Sequence, residues 1–313
     1  MKVLVTGAGG YIGSQTCKLL KKQGHTVIVC DRRPITSHNY FDSQQNENCY
    51  GDYKLKMTDW DCDALIHIGA TSLVGPSVLD PALYYQNNIA ETLNLLDMIR
   101  KCNIKNVVFA SSAACYGEPD NGLCTIEDGN TPMNPYGWTK RMMEVILNDY
   151  AKAYNINSVS LRFFNVAGAD SDGEFGQEKQ ATHIIARIME SAIAGKKFTL
   201  YGNDYDTADG TCIRDYIHVE DVANGLVTSV THATENSGAH VFNLGMDHGY
   251  SNLEIIQAVE KNTPLKVDYD IGARREGDPA SLIADVSGTV KLGWKPKHNL
   301  DSIITTAYNW YTK

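Results

Sequence analysis

The run Gly7-Ala8-Gly9-Gly10-Tyr11-Ile12-Gly13 follows directly on the β-rich stretch Lys2–Thr6 and constrains this 313-residue chain more than any other feature. Glycines at positions 7, 10 and 13 permit a tight strand-to-helix turn and close approach of a pyrophosphate to the backbone. The helical pattern Tyr11–Gln23 comes next, and Gly24 stands where a C-terminal glycine cap is expected. The free N–H groups and positive dipole end of that helix favour an anion. Asp31 falls at the end of the second strand-like run, Thr26–Cys30, where a carboxylate can bond ribose hydroxyls. The unit predicts a dinucleotide site. Arg32 and Arg33 could hold a 2′-phosphate, but Asp31 would repel one, so NAD is favoured over NADP.

The rest of the first half repeats this strand–helix alternation. Ala64–Ile68, Asn106–Ala110 and Ser158–Phe163 read as further strands, and Pro81–Cys102 and Tyr136–Tyr154 as helices. Such alternation predicts the α/β class, a Rossmann-type doubly wound parallel sheet. Segment Arg32–Asp61 is polar and weakly periodic and reads as a long loop. After Val166 the pattern changes. Gly168–Gln180 reads as a loop, His183–Ala194 and Asn252–Lys261 as helices, and short strands and turns lie between them. The expected division is a cofactor-binding domain over 1–166, with a segment near 210–232 returning to it. Residues 167–313 then form a smaller C-terminal α+β substrate lobe.

A formal net charge of −9 argues against nucleic acid or an anionic membrane as the main partner. No apolar stretch is long enough to span a bilayer, and the N-terminus carries no signal-peptide pattern. The eight cysteines contain no Cys-x-x-Cys pair, and the nine histidines form no ligand cluster. A reducing, cytoplasmic setting without a structural metal is expected.

Tyr136 and Lys140 lie four residues apart in a helical segment and so share a face. An ammonium near a phenol favours the phenolate and makes a base usable near neutral pH. Tyr50 and Lys54 have the same spacing, but they lie in the polar segment without a partner serine. Ser111-Ser112 closes the strand Asn106–Ala110.

The glycine spacing, Ser112 and Tyr136-x-x-x-Lys140 together resemble the extended short-chain dehydrogenase/reductase family, in which Ser, Tyr and Lys form the catalytic set. Further segments narrow the resemblance to the UDP-glucose 4-epimerase family, over nearly the whole chain. They are Tyr84–Asn88, Asn134–Lys140, Leu161–Ala169, Tyr201–Tyr205 continuing through Asp209–Val219, and Arg274–Asp278. The resemblance implies an NAD-dependent isomerase that inverts carbon 4 of a UDP-hexose through a transient 4-keto sugar. It implies cofactor contacts at Tyr11, Ile12, Asp31, Asp52, Ile68, Gly69, Ala70, Ser72, Asn88 and Phe164. It places the UDP-sugar against Asn165, His183, Tyr201, Arg214, Arg275 and Asp278, with Leu282 at the position that gates the sugar pocket. It also implies a homodimer through a four-helix bundle, for which Leu93, Leu96, Met143 and Ile146 offer apolar surface.

Two departures matter. Ser72 stands where well-known bacterial members carry a lysine near the cofactor phosphates, and Leu282 is intermediate between the Tyr that restricts the pocket and the Cys or Ser that opens it. Sugar-nucleotide 4,6-dehydratases need an Asp-Glu pair after the strand-end hydroxyl, and UDP-uronate decarboxylases keep the Glu. Here the two positions are Ala113 and Ala114, which transfer no proton. A dehydrogenase that exchanges its cofactor, an epimerase acting on UDP-N-acetylhexosamines or UDP-pentoses, and a non-catalytic NAD sensor or scaffold are the alternatives.

Overall fold

The computed structural model describes residues 1–32, 49–50, 61–119, 121–128, 130–275 and 278–313. Asp52 and the rival Lys54 lie outside them. Fourteen strands are described: β1 Lys2–Thr6, β2 Thr26–Asp31, β3 Cys49–Tyr50, β4 Ala64–His67, β5 Asn106–Ser112, β6 Leu123–Cys124, β7 Asn157–Phe163, β8 Asn165–Ala167, β9 Phe198–Tyr201, β10 Ile213–His218, β11 Ala239–Leu244, β12 Gly249–Ser251, β13 Tyr269–Gly272 and β14 Ser281–Ala284. The α-helices are α1 Tyr11–Lys22, α2 Val74–Leu79, α3 Pro81–Tyr85, α4 Glu91–Lys101, α5 Pro135–Tyr154, α6 Ile184–Ile193, α7 Val219–Glu235, α8 Asn252–Asn262 and α9 Leu300–Tyr311.

Seven strands form one sheet in the order β11-β7-β5-β4-β1-β2-β3. Every pairing within it is parallel. The expected Rossmann architecture is therefore present. Val3, Leu4, Val5, Leu65, Ile66 and Val108 are all buried, because helices cover both faces of a parallel sheet. Helices α1 and α7 pack together, and α7 also packs on β5 and β7. Leu95, Leu96 and Ile99 of α4 and Met143 and Leu147 of α5 belong to the core on Leu4, Ile28 and Leu65.

A second, mixed sheet runs β12-β10-β14-β6, with β8 also pairing β10, and β9 and β13 make a separate parallel pair. Helices α6, α8 and α9 share one core with Phe198, Leu200 and Tyr216. The chain crosses between the two sheets twice more than its local pattern indicates. Strand β11 comes from the second half but forms the outer strand of the large sheet, while β6 comes from the first half and joins the small one. Within residues 210–232, α7 packs on the large sheet. Strand β10, within the same range, belongs to the small sheet.

The helix expected over Pro81–Cys102 runs unbroken from Pro81 to Lys101, but its middle turn is wider than an α-helical one. A π-helical segment, Gln86–Ala90, separates α3 from α4. Its wider turn brings Asn87 and Asn88 onto Thr71, a use of π geometry common at functional sites. Leu96 and Met143, expected as spare surface, are each 1% exposed and serve the chain's own core. Val78 and Leu79 of α2, Leu83 of α3 and Met142 and Val145 of α5 are among the large apolar side chains that are exposed instead.

Candidate active site

The parallel sheet places the ends of β1, β2, β4, β5 and β7 along one edge, so Gly7, Asp31, Ile68, Ser112 and Phe164 all emerge there. The chain winds outward in opposite directions from β1 and β4, and a ligand crevice forms at such a reversal. Gly7 adopts φ +71°, and a β-carbon on it would lie 2.7 Å from the Gly69 nitrogen. A β-carbon on Gly13 would lie 2.0 Å from the Gly7 carbonyl oxygen, so only glycine lets α1 start against the turn. Gly10 is the N-cap of α1 and offers no side chain, and no acid occupies the first turn. The leading amides of α1 therefore remain available to an anion. Asp31 is buried, and its Oδ2 accepts from the Gly9 amide at 3.0 Å, which ties the second strand to the turn. The Tyr11 hydroxyl donates to the Gly168 carbonyl at 2.7 Å, and Ile12 packs on the main core.

Beyond β4, Ile68, Gly69 and Ala70 are partly buried and Ser72 is exposed. Asn88 is buried with its amide fully engaged. Its oxygen accepts from the Thr71 amide at 2.9 Å, and its nitrogen donates to the Thr71 carbonyl and to the Thr139 hydroxyl. The residue thus fixes the 69–72 loop against α5. The loop's position is set by Thr139, which the sequence reading did not single out.

Helix α5 starts where Asn134 and Pro135 direct it. The Asn134 side chain accepts from the Gly137 amide at 2.9 Å, and Pro135 takes the first helical position. This start buries Tyr136 and Lys140 beside the end of β5. Alternation along β5 separates the two serines. Ser112 acts on the Tyr136 phenol and favours its ionised form, whereas Ser111 points inward and donates to Glu144 at 2.6 Å. Tyr84 packs edge-on to Tyr136 with ring centroids 6.4 Å apart.

The electrostatics differ from the expectation of an activated phenol. Burial pushes the Tyr136 phenol up to about 12, and Ser112 only partly offsets this. Lys140 Nζ donates to the Ala110 carbonyl at 2.6 Å, 4.8 Å from the Phe109 ring centroid and 5.8 Å from that of Tyr136. Burial lowers the Lys140 ammonium to about 8, opposed by Cys115 and Glu144. In the protein by itself the phenol stays neutral, with a cation on the same helical face.

The small sheet carries the other candidate residues. Asn165 on β8 pairs in register with Tyr216 on β10, and both line a pocket with His183 and the start of α6. His183 is exposed, with Nδ1 in contact with the Gln177 amide. Arg214 forms an ion pair with Asp278 and donates to the Pro279 carbonyl at 2.8 Å. The Arg275 guanidinium lies 4.4 Å from the Tyr201 ring centroid. Leu282 pairs in register with Arg214 and packs into a cluster with Ala113, Tyr116 and Phe164, so its side chain reaches the residues that follow Ser112. Asn243 on β11 locks the two sheets together. It accepts from the Tyr116 hydroxyl at 2.6 Å and donates to the carbonyls of Cys124 and Asp285.

This combination defines a dinucleotide-binding enzyme of the Ser-Tyr-Lys type. More narrowly, residues 3–245 match the NAD dependent epimerase/dehydratase family, and the chain belongs to that family. It is 44% identical to the UDP-glucose 4-epimerase of Lactobacillus helveticus, in an alignment covering 99% of this chain and 97% of that protein. Its structure is similar to that of UDP-glucose 4-epimerase from Brucella ovis in complex with NAD, with a TM-score of 0.92 and 42% identity over 99% of this chain and 98% of that one. The Bifidobacterium longum enzyme in complex with NAD+ and UDP gives a TM-score of 0.90 at 35% identity, covering 100% and 98%. Among the described residues no helix is long and apolar enough to cross a membrane.

Proposed function

We propose that this protein is an NAD-dependent epimerase that inverts carbon 4 of a UDP-hexose, interconverting UDP-glucose and UDP-galactose. The carrying observation is that Ser112 ends β5 beside the buried Tyr136 and Lys140 of α5 and is followed at once by Ala113 and Ala114. Proton transfer to and from a substrate hydroxyl is provided for, and the acid and base for elimination are not. A β-carbon on Gly137 would lie 2.3 Å from the Ala114 carbonyl oxygen, so helix α5 packs directly on this alanine turn.

The glycine turn fits a dinucleotide, since it has the cradle that any β-carbon would fill and free leading amides on α1. Gly7, Gly10, Tyr11, Ile12 and Gly13 would hold its pyrophosphate side and Asp31 its ribose. The 68–72 loop, Asn88 and Phe164 would line the remainder. When bound, NAD supplies a hydride acceptor and then a hydride donor for carbon 4 of the sugar.

Once ionised, with Lys140 and the positive nicotinamide of bound NAD favouring the phenolate over the neutral phenol, Tyr136 takes the proton of the sugar 4-hydroxyl, directly or through Ser112, and gives it back when the opposite face is reduced. Lys140, on the same helical face, supplies the positive charge that the phenolate requires. Arg275 and Arg214 suit the diphosphate, as always-charged planar donors do. Tyr201 offers an apolar face to uracil, Asp278 accepts from a ribose hydroxyl, and Asn165 and His183 flank the pocket. Anchoring UDP while the 4-keto sugar turns over is what allows reduction of its other face.

The corresponding division is a cofactor lobe of 1–166 with α7 and β11, and a UDP-sugar lobe from the rest of 167–313. Val78, Leu79, Leu83, Met142 and Val145 form an exposed apolar surface on α2, α3 and α5 that supports a homodimer through a four-helix bundle. Sedimentation showing only monomer would reject that assembly. The activity is tested by supplying UDP-galactose to the purified protein. Conversion to UDP-glucose without stoichiometric NADH supports the epimerase, whereas accumulating NADH identifies a dehydrogenase.

A further inference from the structure

Arg187 is the residue whose surroundings the preceding reading leaves unexplained. It stands in the first turn of α6, partly buried, with its guanidinium carbon 5.4 Å from the Phe198 ring centroid and 5.5 Å from that of Tyr201. Arg275 approaches the same Tyr201 ring at 4.4 Å. Neither arginine has a carboxylate partner among the described residues. Arg100, Arg141, Arg162 and Arg214 each do, in Asp97, Glu144, Glu144 and Asp278.

Two guanidiniums on one ring repel each other, and stacking on aromatic faces removes part of their water. Among the described residues of this acidic protein no carboxylate pairs with either of them. The missing partner is an anion that arrives with the ligand. Arg214 is charge-paired with Asp278, whereas Arg187 and Arg275 converge on one ring with no carboxylate of the described residues between them. A nucleoside diphosphate sugar carries two negative charges on its phosphates. The neighbours of Arg187 on α6, from His183 to Ala186, line the pocket that Asn165 and Tyr216 also border, so the side chain rises beside the proposed substrate site.

We propose that Arg187 is a further diphosphate-binding residue, acting with Arg275 across the Tyr201 platform. The inference rests on the UDP-sugar reading of this site. Arginine suits the role because its donor fork matches phosphate oxygens while its flat face remains stacked on an aromatic ring.

Calorimetric titration with UDP and with uridine tests it, using the full-length protein and the variants Arg187→Met, Arg187→Gln and Arg275→Met. Two substitutions at position 187 ensure that a folded variant is available. UDP affinity should fall roughly tenfold or more in either Arg187 variant, with uridine affinity within about twofold of the parent. Unchanged UDP affinity in the Arg187 variants, with weakened binding in Arg275→Met, would overturn this inference and leave the UDP-sugar reading intact. Equal losses for UDP and uridine would overturn it too, by showing that Arg187 only supports Tyr201. Failure of the parent protein to bind UDP would remove both.

Discussion

Arg162 and Glu144 form a two-pronged ion pair one helical turn beyond Lys140 of α5. Arg162 Nε donates to Glu144 Oε1 at 2.9 Å and Nη2 to Oε2 at 2.6 Å, with both side chains 1% exposed. Ser111 and Arg141 bond the same carboxylate, and Glu144 lies one helical turn beyond Lys140. Removing one partner of such a pair strands a buried charge. Glu144→Ala should therefore cost about 3–5 kcal/mol in denaturant unfolding. A double variant, Glu144→Leu with Arg162→Met, should recover much of the loss. Equal stability of the single and double variants would contradict this view of the pair.

Tyr136→Phe removes the proposed proton acceptor and keeps the ring that packs against Tyr84. Turnover of UDP-galactose should fall by about 10²- to 10⁴-fold, while UDP binding persists. Near-normal turnover in this variant would exclude Tyr136 as the base.

Lys140 makes the opposite trade. Its folded value of about 8 lies below the ordinary 10.5, so the folded state carries a costly buried ammonium at lower pH. The unfolded chain binds more protons than the folded one between these values, and stability from this group rises with pH across that window. The difference corresponds to roughly 3 kcal/mol. Lys140→Met should accordingly be more stable than the parent at pH 7 and should lose the rise above pH 8. It should also lose activity. Thermal melts across pH 6–10 provide the measurement.

His298 behaves in the reverse sense. Its Nε2 lies 3.1 Å from Glu220 and its Nδ1 3.1 Å from Asp221, and these contacts raise it to about 9. Its contribution is complete below the unfolded value near 6.5 and disappears as pH climbs through 9. After solvent screening it amounts to about 1–2 kcal/mol. His298→Gln should melt lower than the parent at pH 6 and converge on it near pH 10. A constant gap at all pH values would show that protonation is not involved.

Leu282 reports on substrate breadth. Packed with Tyr116 and Phe164, it sets the room beside Ala113. Leu282→Tyr should reduce turnover of UDP-N-acetylglucosamine by roughly tenfold relative to UDP-glucose, a loss within reach of a small change in pocket volume. Chromatography of paired substrates gives the ratio, and an unchanged ratio would remove Leu282 from the sugar pocket.

The sequence by itself determined the glycine turn, the alternation that makes a parallel sheet, and the Ser112, Tyr136 and Lys140 set. These are local patterns, in which periodicity and turn chemistry act over a few residues. Ser112 is set apart from Ser111 by the family pattern, and strand alternation is the physical reason the two face opposite sides. Tertiary structure alone decided that the Lys140 ammonium rests on the Ala110 carbonyl while burial raises the Tyr136 phenol. It also decided that β6 and β11 exchange sheets, that a π turn sets Asn88 on the 69–72 loop, and that Arg187 meets Arg275 at Tyr201. Each of these depends on residues distant in the chain, whose desolvation and charge pairing arise only when separate elements close around them.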